Sequence, residues 1–219
     1  LNGLTITLAE VLTINGTGIS TAGAVINSSS TAASYAGLIT LGANSSIVGG
    51  TGTIALANAG TISGAYTLTL GGTQGGSVTS IIGTTAVTKE GSGTWTLNGV
   101  NTYSGATTVS AGTLLIGGSG SLGSGSYAGN IVNSGTFQYS SSANQTLSGI
   151  ISGAGALTKD TSSSSILTLS NANTYTGTTT ISGGAIAIGT DTSLGVAPVT
   201  ASAGKLVLSG GNLNATETM

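Results

Sequence analysis

The sequence contains no cysteine and no histidine, and its three basic residues (Lys89, Lys159 and Lys205) are all lysines, so arginine is missing too. Without Cys or His there is no thiol nucleophile, no imidazole base and no ordinary zinc site. With no arginine and a net charge of −2, phosphate neutralisation is not available, which argues against nucleic acid as a partner. Charged residues are 4 % of the chain, against roughly a quarter in ordinary domains. Proline occurs once. No run approaches the roughly 18 apolar residues of a membrane span. No signal peptide is expected within this stretch, because Leu1 opens directly into the strand-like run Leu4-Thr5-Ile6-Thr7-Leu8. The first residue is not Met, and the chain reads as a processed product or one piece of a longer protein.

What is present is glycine, serine and threonine, about half the chain together, with 39 glycines among them. Such a composition can mean disorder, but disorder goes with low hydrophobicity and high net charge. Here hydrophobic residues reach 38 %, enough to bury a core. The apolar residues alternate: Leu4, Ile6 and Leu8 with Thr5 and Thr7; Leu68 and Leu70 with Thr67 and Thr69; Trp95 and Leu97 with Thr94 and Thr96; Ile186 and Ile188 with Ala185 and Ala187. Period two marks half-buried strands. They are short and punctuated by Gly, Asn-Gly and Ser-Gly, as at Asn98-Gly99 and Ser152-Gly153. No segment reads as a helix.

The sequence also repeats. Asn101-Thr102-Tyr103-Ser104-Gly105-Ala106-Thr107-Thr108-Val109 matches Asn173-Thr174-Tyr175-Thr176-Gly177-Thr178-Thr179-Thr180-Ile181, and Val87-Thr88-Lys89-Glu90 matches Leu157-Thr158-Lys159-Asp160. A fainter third copy runs from Tyr35 to Leu41. Three related units, roughly 1–79, 80–149 and 150–219, fill a single domain spanning 1–219. A propeller blade fits a period of about 70 residues badly, and a sandwich does not explain so continuous a repeat. An all-β parallel β-helix (a β-solenoid) with rungs of about 20 to 25 residues fits three rungs to each unit. Leu4, Ile6, Leu8, Leu97, Leu114, Ile116, Ile131, Leu169, Ile186, Ile188, Leu206 and Leu208 are expected in one core, and Phe137 is expected to point the same way as Tyr139.

Residues 87–117 and 157–189 resemble the autotransporter-associated β-strand repeat, also called the passenger-associated transport repeat. The first segment keeps Thr88-Lys89, Gly91, Gly93-Thr94, Asn101-Thr102-Tyr103, Gly105, Thr107 and Gly112-Thr113-Leu114 of that pattern, with Trp95 in place of the usual Leu. The second keeps Leu157-Thr158-Lys159, Leu167-Thr168-Leu169-Ser170, Asn173-Thr174-Tyr175 and Gly177, with Ser in place of the first glycines. The resemblance implies a parallel β-helix on a large secreted or surface-displayed bacterial protein. It implies no activity, because such scaffolds carry many roles.

Candidate site residues each meet a structural alternative. The acids are Glu10, Glu90, Asp160, Asp191 and Glu217. Glu90 and Asp160, at equivalent repeat positions, are expected about three rungs and roughly 14 Å apart, beyond the roughly 5 to 9.5 Å of a glycosidase pair. No acidic cluster suits calcium. Lys89-Glu90 and Lys159-Asp160 read as solvated turns. Tyr103 and Tyr175, with Tyr35 as a weaker equivalent, read as corner staples packed over a glycine two residues on, and Trp95 as core. The Thr-x-Thr pairs (Thr5/Thr7, Thr67/Thr69, Thr94/Thr96) are too irregular for the flat hydroxyl array of an ice-binding solenoid. Catalytic, cofactor and metal residues are therefore expected to be none. The expected function is a non-enzymatic extracellular or cell-surface structural protein, a self-associating subunit or stalk segment of a bacterial fibre, joined end to end through its terminal rungs. The alternative is an adhesin-type passenger segment that binds a surface or glycan.

Overall fold

A computed structural model of the chain describes residues 1–7, 9–19, 22–160, 164–196 and 206–215. Its strands pair in parallel throughout, and no α-helix occurs among the described residues. One sheet has ten strands: Thr5–Ile6, Ala33–Tyr35, Ile54–Leu56, Gly75–Val78, Thr94–Leu97, Thr113–Ile116, Thr136–Tyr139, Ala156–Lys159, Thr179–Ile181 and Leu206–Leu208. A second, eight-stranded sheet includes Thr67–Gly71, Ala86–Lys89, Thr107–Val109 and Ile131–Asn133. The third side consists of a two-stranded sheet (Thr61–Ile62 with Ile81–Ile82) and a five-stranded sheet running from Ser126–Tyr127 to Asn212–Ala215. Along the chain the strands visit the second side, then the first, then the third, and begin again. The molecule is a β-solenoid of three-sided coils.

Alternation decides what each coil buries. On the first side Tyr35, Leu56, Val78, Leu97, Ile116, Tyr139, Lys159 and Ile181 form one inward column, 19 to 23 residues apart, close to the expected rung. Beside it runs a second inward column that includes Ile54, Gly76, Trp95, Leu114, Phe137 and Leu157. These columns join one core, and Phe137 and Tyr139 enter it together. Of the expected core residues, Leu97, Leu114, Ile116, Ile131, Leu169, Ile186 and Ile188 are buried, and Ile6 packs partly against the core. Leu4, Leu206 and Leu208 are not: they are 61 %, 37 % and 55 % exposed. They flank or belong to the first and last strands of the ten-stranded sheet, where no further described strand covers them. Leu8 lies outside the described residues.

Glycine is required where the chain rounds the corner from the second side to the first. A β-carbon on Gly135 would come within 2.4 Å of the Gly112 carbonyl oxygen, one on Gly155 within 2.4 Å of that of Gly135, and one on Gly177 within 2.0 Å of that of Gly155. Successive coils touch backbone to backbone along this edge, so any side chain would wedge them apart.

The sequence repeat and the coil are out of step. Thr107, four residues after Tyr103, pairs on the second side with Val87 and Ile131. Thr179, four residues after Tyr175, pairs on the first side with Leu157. Ile39, four residues after Tyr35, opens the long strand Ile39–Gly49, whose start lies against the third side, where Thr40 bridges Ser63, before it continues along the eight-stranded sheet. Each sequence unit therefore covers three coils and one further side, so equivalent residues of successive copies sit on successive sides of the solenoid.

Candidate functional site

The two lysines depart furthest from expectation. Lys89 is two residues past Val87, so strand alternation turns it inward with Val87, and both lysines have no exposed surface. Their stems lie in the core rather than in a solvated turn. The Lys89 Nζ donates to the carbonyls of Glu90 (2.7 Å), Gly91 (2.7 Å) and Ala111 (3.0 Å). Three N–H donors meet three acceptors, two from its own corner and one from the next coil. Burial lowers its pKa to about 8, and the charge of Glu90 opposes that shift, so it is an ammonium at neutral pH. Lys159 occupies the corresponding place on the first side, with Nζ 5.8 Å from the centre of the Tyr139 ring on the adjacent strand. Its pKa too is lowered by burial, with Asp160 opposing.

The tyrosines of the repeat are buried staples. The Tyr103 hydroxyl lies 2.9 Å from Thr107 Oγ1, which lies 2.8 Å from the hydroxyl of Tyr127 one coil on. Tyr127 also donates to the Gly105 carbonyl. The two rings meet edge to face at 5.5 Å. In the second copy Tyr175 bonds Thr179 at 2.7 Å. Burial raises the pKa of Tyr103 and Tyr175, and pushes that of Tyr127 up to about 12. The expected ring-over-glycine contact is made by Tyr35 over Gly37, and also by Tyr127 over Gly129. At Gly105 a β-carbon would instead strike the Thr85 carbonyl of the previous coil at 2.2 Å.

The asparagine of the Asn-Thr-Tyr triplet is the residue that sequence reasoning passed over. Buried Asn101 accepts from the Ile82 backbone N–H (2.9 Å) and donates to the Ser121 carbonyl (3.0 Å), tying three successive coils. Asn173 repeats this with Ile151 (2.7 Å) and Ser193 (2.6 Å). Its recurrence was the available signal, since an amide carries both donor and acceptor and can replace a missing ladder bond. Trp95 is core, as expected, and donates to the Gly71 carbonyl at 2.9 Å.

The carboxylates do not converge. Glu90 follows a strand of the second side and Asp160 a strand of the first, so the expected stacking three rungs apart does not occur. The drift of repeat against coil is the reason. Asp160 accepts from Gln138 Nε2 at 2.5 Å and from the Ser140 hydroxyl. Glu217 and Lys205 lie outside the described residues. No group of three or more potential metal ligands occurs among the described residues. The Thr-x-Thr pairs lie on different sides, Thr67/Thr69 on the second and Thr94/Thr96 on the first.

Comparison with known proteins agrees with this geometry. The passenger-associated-transport-repeat family matches residues 87–116 and 162–188. No curated protein and no solved structure matches the chain. The two matched segments are similar to the repeats of autotransporter passengers, and here they lie on a β-solenoid. Such passengers are secreted to the cell surface. Among the described residues no helix is long and apolar enough to cross a membrane.

Proposed function

We propose that this chain is a non-enzymatic, extracellular structural module, a rod-forming stalk or fibre segment of a bacterial surface protein whose copies associate end to end. The observation that supports this is the unbroken parallel stack. Ten strands on the first side, at about 4.8 Å per strand, give a rod of about 43 Å. Its buried polar side chains, such as Lys89, Asn101 and Asn173, are turned onto the backbone of neighbouring coils. Edge strands of such a rod carry backbone groups that another strand can pair with, and low charge leaves little repulsion between copies.

The first strand offers an edge suited to such a contact. Leu4 and Ile6 offer their carbonyls to Ser34 and Ala36, so the N–H of Thr5 points to the opposite edge. Thr5→Pro removes that donor and leaves both inner bonds intact. The purified chain is expected to form polymers in sedimentation and uniform fibres by electron microscopy, and T5P to remain a single copy along that axis. A chain that stays monodisperse at high concentration favours the adhesin-type reading, binding to a surface or glycan. That alternative draws on a hollow of about 470 Å³ lined by Thr17, Ser46, Thr69 and Glu90, where Ser46 Oγ is buried without a hydrogen-bond partner.

A further inference from the structure

The outward column of the first side runs the full length of the ten-stranded sheet and contains no charged residue. Its two halves differ in size. Ser34, Ala55 and Ser77 lie towards the first strand; Thr96 is central; Leu115 and Gln138 follow. The small half is hollow: a depression of about 350 Å³ opens there, lined by Ala33, Ala55, Gly76 and Ser77. The large half stands proud of it, with half-buried Leu115 as the only leucine of the column.

From this we infer that the first side pairs with the first side of a second copy, the two solenoids antiparallel about a two-fold axis between Ser77 and Thr96. The inference rests on the self-associating reading above but concerns a different surface. Such an axis sets Leu115 of each copy over Ala55 of the other, so that each knob enters the other's hollow. Gln138 then lies opposite Ser34, an amide against a hydroxyl. This is an isologous contact, in which one patch serves both partners. Eight strands overlap, giving a patch of about 38 Å by 13 Å, hence about 500 Å² per copy and about 1,000 Å² in all. That is the lower bound for a specific interface, so an isolated pair is weak. Copies already joined end to end would present many such patches at once, and avidity would hold two rods together.

The absence of cysteine makes a clean test possible. Ser77→Cys and Thr96→Cys variants, mixed in equal amounts and mildly oxidised, are expected to give a disulfide-linked pair that neither variant forms alone. Leu115→Lys places a charge in the hollow on an outward position, where folding is not at stake. It is expected to weaken the pairing of the T5P chain at least about tenfold in sedimentation. A mixture with no cross-link beyond that of the separate variants, or an L115K chain that pairs as before, overturns the inference. Fibres without the cross-link would leave end-to-end assembly standing and remove only the lateral contact. The cross-link without fibres, in chains that keep Thr5, would do the reverse.

Discussion

At Lys89 three backbone carbonyls converge on one ammonium inside the molecule. An isolated buried charge is costly, but one whose every donor is matched also seals a corner that would otherwise hold unsatisfied acceptors. Lys89→Met keeps the stem and removes the donors. It is expected to lower the unfolding free energy by about 3 kcal/mol in urea titrations, the upper end of the range for stranding a buried polar group. Glu90→Gln, on an exposed residue, should change little. The sequence contained the cue and also a misleading one. Period two links Lys89 to Val87 and Lys159 to Leu157, which turns both lysines inward. Each is followed by an acid, and that pairing suggested a solvated turn. The roles of Trp95 and the tyrosines were legible because their residue types rarely lie exposed in an alternating strand.

Between strands, the fit is set by what each side chain meets one coil away. Gly76 lies in an inward column between Ile54 and Trp95. A β-carbon there would come within 2.1 Å of the Ile54 carbonyl oxygen and 3.0 Å of the Trp95 ring. The bulk of Trp95, in a place the repeat usually gives to leucine, is thus accommodated by the missing side chain of its neighbour. Gly76→Ala is expected to cost about 1–3 kcal/mol, as overpacking does, read as a lower urea midpoint at unchanged slope. Removing the indole in Gly76→Ala/Trp95→Leu should not restore stability, because the carbonyl clash remains. The strands themselves were legible from alternation, which states whether a residue points in or out. It does not state on which side of the coil a strand lies. That depends on how many residues round each corner, and corners of Gly, Ser and Asn carry no periodic signal. Glu90 and Asp160 were therefore placed in one line when they lie on different sides.

The titration of the whole molecule follows from its buried groups. Lys89 has a folded pKa of about 8 and an unfolded value near 10.4. Between these the unfolded chain binds more protons, so stability rises with pH across that window; below about 8 the penalty is complete and constant. The buried tyrosines act in the opposite sense. Their folded pKa values are raised, that of Tyr127 to about 12, so above the unfolded value of about 10 the unfolded chain loses protons first and stability falls. The melting temperature is therefore expected to climb from pH 8, peak near pH 10 and decline beyond it. In Lys89→Met the climb should shrink while the decline remains. A profile that falls steadily from pH 8 would show that the buried ammonium is not desolvated.

The mismatch between unit and coil turns length into direction. Each sequence unit advances the chain by three coils and one side, so the units are arranged as on a three-start indexing wheel. Gaining or losing one unit by gene duplication or deletion would leave every coil stacked as before, yet turn everything downstream by a third of a revolution. A loop or partner segment carried beyond the change would aim in a new direction, and only three such events would return it to its original bearing. Copy number in such a rod would therefore set two quantities at once, its reach and its heading.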